Sequence, residues 1–189
     1  MERTMTLNSD FNTVKEIMEG FLLDDSIRKK LLSICRTKRN DWEKWFQLEL
    51  EFYISSLKNF TVDREVKAIP DNRKMKERLN MFVDFAIRKK HTKKNSFIFI
   101  EIKCSTNPQA LINGFNKDIK KINSIKSCNY DTRSFWCVGF HKNCTQKSIE
   151  KMVEYAESWK GHHEVIRLCD CLEGLDCQCK DNKIGFAIL

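Results

Sequence analysis

The sequence predicts an α/β fold in which helices flank a mixed, mainly four-stranded sheet. Runs of β-branched and aromatic residues, which are typical of buried strands, alternate with segments whose apolar residues recur at the helical period. At 189 residues the chain is long enough for one domain with a substantial core. No internal repeat, low-complexity tract or linker interrupts the pattern, so we expect one main domain.

The first 40 residues are predicted to form two short helices. Asn8 to Asp10 can cap the first, and Asp24 or Asp25 can cap the second, because short polar side chains accept hydrogen bonds from the free amides of a helix start. We therefore expect three regions: an N-terminal helical extension over 1–40, a core over 41–168, and a cysteine-rich C-terminal hairpin packed on the core over 169–189.

A longer helix is predicted over 41–58 at the start of the core. At about 100° per residue, one apolar stripe forms along it. The stripe consists of Trp42, Phe46, Leu50, Tyr53 and Leu57. Glu49 falls inside the stripe and Glu51 falls on the opposite, solvent side. Because acidic side chains are seldom buried without a partner, Glu49 is a candidate functional residue.

Two predicted strands bring charged residues together. The run Phe97 to Ile102 reads as a buried strand, and Glu101 and Lys103 project from the same face because strand side chains alternate. The segment 79–87 reads as a second strand, joined to the first by a polar hairpin loop. The strands should be antiparallel neighbours, with Asp84 beside Glu101 if the register allows. Two carboxylates next to a lysine form a cation site that suits phosphodiester hydrolysis.

The remaining elements follow in order. Ser105 to Asn107 can cap a helix that has Pro108 in its first turn and is predicted to continue past Ile125. It carries the lysines Lys117, Lys120 and Lys121, which can face phosphates or form a solvated helix face. A short strand at 61–69 precedes the two strands with the charged residues, so the strand at 133–140 is the fourth. A helix at 146–160 and two final strands at 164–171 and 183–189 complete the prediction.

This order of elements resembles the PD-(D/E)XK nuclease superfamily, which includes the restriction endonucleases, over residues 41–141. The resemblance implies a restriction-endonuclease-like core and a Mg²⁺ or Mn²⁺ ion held by Asp84, Glu101 and the carbonyl of Ile102. It further implies that Lys103 positions or activates a water molecule and that Glu49 binds a second ion. Carboxylate and carbonyl oxygens suit such hard cations.

The sequence also departs from the superfamily pattern at two points. Pro70-Asp71 matches the literal Pro-Asp motif but precedes a charged segment rather than a strand, so Asp84 is the preferred metal-binding acid. Gln109 is followed one helical turn later by Asn113 rather than the tyrosine of the RecB-like branch. The resemblance therefore points to the superfamily rather than to that branch.

The expected function is a metal-dependent nuclease, with an endonuclease acting on DNA as the first expectation. The alternatives are an RNA endonuclease of the same fold and an inactive nuclease-fold protein that binds nucleic acid or a protein partner. A formal charge of +8 favours a polyanionic partner. No apolar run is long enough to span a membrane and no segment reads as a signal peptide, so we expect a soluble intracellular protein. The sequence is also compatible with a homodimer.

Nine cysteines, an odd number, argue against a complete disulfide framework. Four of them, Cys169, Cys171, Cys177 and Cys179, flank a turn and could hold Zn²⁺. Some nucleases of the superfamily use one early and three late cysteines to hold an iron–sulfur cluster, and Cys35 lies early in this chain. Because the spacing is Cys-x-Cys rather than Cys-x-x-Cys, a metal-free tail is the expectation.

Overall fold

We describe the protein from a computed structural model. The structure describes residues 2–37, 40–71, 73, 74, 80–92, 96–169, 171 and 182–189, with the side chains of residues 2–6 left out. Within these residues the protein is an α/β domain with five helices and one seven-stranded mixed sheet. Among them, no helix has both the length and the apolar character needed to cross a membrane.

Three helices are followed by three strands, and each of the last two helices is followed by a pair of strands. The helices are α1 (Glu2–Leu23), α2 (Asp25–Cys35), α3 (Glu43–Ser56), α4 (Pro108–Ile122) and α5 (Gln146–Ser158). The strands are β1 (Phe60–Pro70), β2 (Met81–Lys89), β3 (Ser96–Ser105), β4 (Ile125–Cys128), β5 (Asp131–His141), β6 (His162–Arg167) and β7 (Lys183–Ile188).

The strands lie in the order β4-β1-β2-β3-β5-β7-β6. The pair β3 and β5 is parallel, with α4 in the connection between them, and every other neighbouring pair is antiparallel. The predicted antiparallel pairing of β2 with β3 is therefore confirmed. Parallel strands need such a crossover connection, whereas antiparallel strands are joined by tight loops.

The sheet has seven strands where mainly four were expected. The final two strands extend the sheet: β7 pairs with β5, and β6 pairs with β7. They satisfy the backbone groups on the edge of β5, which would otherwise lack partners. The seventh strand, β4, was predicted as the end of a helix. That helix stops at Ile122, and the four residues of β4 pair with the edge of β1 instead.

Helices cover both faces of the sheet. The first three pack on one face, where their apolar residues form a single cluster with those of β2, β3, β5 and β7. Helices α1 and α2, which lie in the region expected as an extension, thus contribute residues to the main core. The predicted stripe of α3 belongs to this cluster, with Trp42, Phe46 and Leu50 buried. Helices α4 and α5 cover the other face through a smaller cluster around Leu111, Phe115 and Met152.

Of the two caps predicted for the N-terminal helices, the structure contains one. The side chain of Asp24 caps α2 by accepting hydrogen bonds from the amides of Ser26 and Ile27. The expected cap at Asn8 to Asp10 is wrong, because α1 begins at Glu2 and continues through this segment. Asp10 is instead buried against β5, with its carboxylate 2.6 Å from Arg133 Nη2.

Two histidines meet across strand β7. His141 Nε2 lies 3.1 Å from His163 Nε2, and a Cβ at the intervening Gly185 would collide with the His141 ring. Since the carbonyl of Asn143 can only accept, His141 Nδ1 carries a hydrogen and its Nε2 accepts from His163 in the neutral pair. Burial, together with the neighbouring histidines, lowers the pKa of His163 to about 4, and burial also lowers the pKa of His141.

We expect the histidine pair to make folding stability pH-dependent. Between a pKa near 6.5 in the unfolded chain and about 4 in the folded chain, the unfolded state binds more protons, so stability falls as pH falls. His163 alone should remove about 2 kcal/mol between pH 7.5 and 5. Urea unfolding should show this loss in wild type and in a His91→Gln control, whose exposed residue lies in a loop, but a smaller loss in His163→Gln. An equal loss of stability in all three proteins would show that His163 does not cause the pH dependence.

Candidate active site between strand β3 and helix α4

Asp84 and Glu101 are neighbours on adjacent strands. The ladder between β2 and β3 pairs Phe85 with Ile100, so the next position in register places Asp84 beside Glu101. The ladder stops there, and Asp84 Oδ2 accepts a hydrogen bond from the Ile102 amide at 2.8 Å. The carboxylate thus substitutes for a strand partner, which fixes its position next to Glu101.

A local backbone irregularity faces Asp84 from the other side. Glu65 on β1, which lies opposite Asp84 in register, has a φ of 53°, in the left-handed region that residues other than glycine seldom adopt. Its exposed side chain accepts hydrogen bonds from Lys44 and Arg64. Residues in such conformations persist where surrounding contacts impose them, and they often lie near functional sites.

Glu101 is a deeply buried acid. Its side chain is 1% exposed, and neither of its oxygens accepts a well-aligned hydrogen bond from the described residues. Oε1 lies 2.6 Å from Lys121 Nζ as an ion pair. Burial, reinforced by the negative charge of Asp84, raises the pKa of Glu101 to about 8. Burial also raises the pKa of Asp84. The two carboxylates therefore favour a shared proton or a nearby cation.

Lys103 lies on the same face of β3 and is held by two other acids. Its Nζ is 3.3 Å from Glu43 Oε1 and 3.7 Å from Asp118 Oδ2. Burial by itself would lower the pKa of Lys103, but the carboxylates of Asp118, Glu43 and Asp84 outweigh it and raise that pKa. Lys103 thus stays protonated. A Cβ at Gly114 would lie 3.0 Å from Lys103 Cγ, so this glycine lets α4 approach the lysine stem.

Glu43 and Asp118 belong to the site, and the sequence analysis missed both. Glu43 lies in the first turn of α3, where its Oε2 accepts a hydrogen bond from the Cys104 amide at 3.0 Å. No sequence signal marked it, because the contact depends on how α3 crosses the sheet. Asp118 is buried, which raises its pKa, and it shares a helical stripe with Leu111 and Phe115. An acidic residue within an apolar stripe is seldom buried without a partner or a function, so the sequence did contain a signal for Asp118.

Glu49, in contrast, lies outside the site. It accepts a hydrogen bond from Trp45 Nε1 at 3.1 Å and pairs with Lys30 of α2. Glu51 does not face open solvent either, because it pairs with Arg64 of β1 at 2.6 Å. The apolar stripe of α3 is phased as predicted, but it is Glu43 in the first turn of this helix that contacts Lys103 and the Cys104 amide at the end of β3. The acidic residue of α3 at the site is therefore Glu43.

The three lysines of α4 separate into two kinds. Lys121 points to Glu101, whereas Lys117 and Lys120 are exposed. Two of the four late cysteines belong to the described residues. The Cys169 thiol accepts hydrogen bonds from Arg167 and Asn182, Cys171 is exposed, and Cys177 and Cys179 lie outside the described residues. Cys35 is buried near the Lys183 carbonyl. A metal in this tail stays an untested alternative.

No group of three or more histidine, cysteine or acidic side chains is arranged to hold a metal ion in the part of the chain that the structure describes. At the site, two lysine ammonium groups lie among the four carboxylates of Glu43, Asp84, Glu101 and Asp118. Comparisons of the chain with protein-family models, curated proteins and solved structures find no match. Function is therefore inferred from the residues of the site.

Proposed function

We propose that the protein is a divalent-cation-dependent nuclease that hydrolyses phosphodiester bonds, with DNA as the preferred substrate and Asp84, Glu101 and Lys103 in its active site. One observation carries the proposal. The Glu101 carboxylate is fully buried beside Asp84, lacks aligned hydrogen bonds to the described residues, and lies two residues from a protonated lysine on the same face. The resemblance to the restriction-endonuclease-like superfamily supports it.

The acids present fit a hard divalent cation. Asp84 Oδ2 is engaged by the Ile102 amide, which leaves Oδ1, and Glu101 Oε2 has no hydrogen-bond partner among the described residues. Carboxylate oxygens are the ligands that Mg²⁺ and Mn²⁺ prefer, and a cation between two such groups relieves their repulsion. When bound, the ion supplies an acidified water and neutralises charge on the phosphate. The carbonyl of Ile102 is the proposed third ligand.

Lys103 supplies a fixed positive charge beside this pair of acids. Its side chain is about a quarter exposed, at 28%, so the ammonium can meet a substrate while Glu43 and Asp118 hold its position. A donor that is held in place before the substrate arrives stabilises developing negative charge without reorganisation. We assign Lys103 to the scissile phosphate, and Glu43 and Asp118 to positioning Lys103.

The surface around the site favours a polyanion. Lys117 and Lys120 are exposed on α4, the helix that also carries Asp118 and Lys121. Exposed lysines bind the phosphate backbone through a sequence-independent, salt-sensitive attraction. We propose that these two lysines contact the nucleic acid on either side of the cleaved bond.

A cleavage assay tests the proposal directly. Wild-type protein is incubated with single-stranded DNA, double-stranded DNA and RNA, in Mg²⁺, in Mn²⁺ and in a chelator, with Asp84→Asn as the matched inactive variant. We expect DNA cleavage that needs the cation and is lost in Asp84→Asn. Cleavage of RNA alone would favour the RNA endonuclease. Binding of nucleic acid without cleavage under any condition would favour the inactive binding protein.

The position of Glu43 leads to a prediction that separates it from Glu49. Glu43→Gln removes a charge that holds Lys103, so we expect cleavage to fall about tenfold or more, which is about 1.4 kcal/mol of barrier. Glu49→Gln, on the same helix but paired with Lys30, should cleave at nearly the wild-type rate. Initial rates at saturating cation measure both. A loss in Glu49→Gln alone would restore Glu49 to the site.

A further inference from the structure

Lys121 occupies the position where a cation would neutralise Glu101. Its Nζ lies 2.6 Å from Glu101 Oε1, and its charge also acts on Asp84. Among the described residues, this is the one ion pair that Glu101 forms. An ammonium ion on Oε1 and a divalent cation on Oε2 of the same carboxylate would lie close enough to repel each other. Cation binding at Glu101 and the observed position of Lys121 therefore oppose each other.

We propose that Lys121 is an exchangeable internal counter-ion, which neutralises Glu101 in the resting protein and moves to a substrate phosphate when a divalent cation binds. The inference rests on the proposed nuclease function and adds a residue and an order of events to it. The cation replaces the ammonium on Glu101, and the phosphate backbone accepts the ammonium. No covalent bond changes in this exchange.

The environment of Lys121 permits the exchange. Its side chain is 19% exposed, so the ammonium has a path to solvent, and it lies in the last turn of α4 beside the exposed Lys120. Lysine has a flexible four-carbon stem and a strongly hydrated ammonium, both of which favour movement to water or phosphate. Lys103 differs, because two carboxylates hold it. The two lysines thus have different roles: Lys103 is fixed and Lys121 is mobile.

The exchange couples two ligands. A phosphate that draws Lys121 away frees Glu101 for the cation, and a cation on Glu101 frees Lys121 for the phosphate. Such coupling is reciprocal, so each ligand must raise the affinity for the other by the same factor. Without nucleic acid, the protein then binds the cation weakly. The complete hydrolytic site therefore forms only when the substrate is bound.

The first test measures Mn²⁺ affinity by isothermal titration without nucleic acid, in variants that remain folded by circular dichroism. Lys121→Gln removes the competing charge, so we expect Mn²⁺ to bind about tenfold more tightly or better than in wild type. Lys121→Arg keeps the charge and should resemble wild type. Lys151→Gln, which makes the same change in net charge at an exposed position of α5, should also resemble wild type. Equal affinity in Lys121→Gln and wild type would overturn the inference.

The second test begins with the wild-type protein, in which the absence of any effect of nucleic acid on Mn²⁺ affinity would by itself overturn the exchange. Mn²⁺ is titrated with and without an oligodeoxynucleotide that carries phosphorothioate linkages, checked on a gel to be intact afterwards. We expect the oligonucleotide to raise Mn²⁺ affinity at least about fivefold in wild type and to have little effect in Lys121→Gln. An equal effect in both proteins would overturn the exchange while leaving the nuclease proposal in place.

The two proposals fail in different ways. If Mn²⁺ binds wild type with an affinity that depends on Asp84 but is unchanged in Lys121→Gln, the inference about Lys121 fails and the proposed metal site remains. If Mn²⁺ binds neither wild type nor Lys121→Gln, with or without the oligonucleotide, both fail. If Mn²⁺ binds only Lys121→Gln, the counter-ion role is supported and the wild-type site is blocked, as expected for the inactive alternative.

Discussion

Replacing Glu101 by glutamine is expected to abolish cation-dependent cleavage, with a loss of about a thousandfold or more, equivalent to about 4 kcal/mol of barrier. The change keeps the shape of the side chain and removes the charge that would bind the cation. Because Glu101 is 1% exposed and repelled by Asp84, a neutral amide is no harder to bury, so the fold should persist. Cleavage rates and Mn²⁺ titration, with thermal melting as the check on folding, measure the effect.

Glu49→Gln is the matched control for Glu101. Both acids pair with a lysine from another helix or strand, but Glu49 lies with Lys30 and Trp45, away from Asp84. We expect this variant to bind Mn²⁺ and cleave as wild type does. If Glu101→Gln retained wild-type cleavage, the assignment of the active site to β2 and β3 would be wrong.

Replacing Lys103 by methionine is expected to lower cleavage by at least about a hundredfold, or about 3 kcal/mol of barrier, while Mn²⁺ binding remains. Methionine fills the space beside Gly114 that the lysine stem occupies and removes only the ammonium. Asp84 and Glu101 are unchanged, so the cation site persists. The variant should melt at a lower temperature, because Glu43 and Asp118 lose their shared partner.

Lys44→Met is the corresponding control. Lys44 follows Glu43 on α3 and pairs with Glu65 on the exposed side, so its removal changes net charge equally without touching the site. It should cleave at the wild-type rate. A Lys103→Met protein that cuts as fast as Lys44→Met would show that Lys103 is a structural partner of Glu43 and Asp118 only.

Local signals in the sequence were sufficient for several elements. The side chain of Asp24 caps α2, and Asn107 caps α4 by accepting from the Ala110 amide, with Pro108 in the first turn. These features depend on residues within one turn of each other, so sequence spacing defines them. The pairing of Asp84 with Glu101 was also accessible, because a short loop joins β2 to β3 and the hydrophobic alternation limits the register.

Features that depend on contacts between residues far apart in the sequence could not be predicted in this way. Asp10 was expected to cap a helix, but contact with Arg133 buries it within α1. The four-residue β4 was missed because its strand character comes from the edge of β1. The C-terminal residues were expected to form a hairpin packed on the core, but β7 pairs with the edge of β5 and β6 pairs with β7, so both strands belong to the main sheet.

By itself, the sequence determined that the chain is α/β and that Asp84, Glu101 and Lys103 lie on adjacent strands, because strand side chains alternate with a period of two. Only the tertiary structure decided which charges surround them. The crossing of α3 brings Glu43 rather than Glu49 to Lys103, and the seating of α4 brings Asp118 and Lys121. The physical reason is that helical phase defines which face of a helix is apolar but not where along the sheet that helix lies. Rigid packing of whole elements sets that position, and with it the pairing of each buried charge.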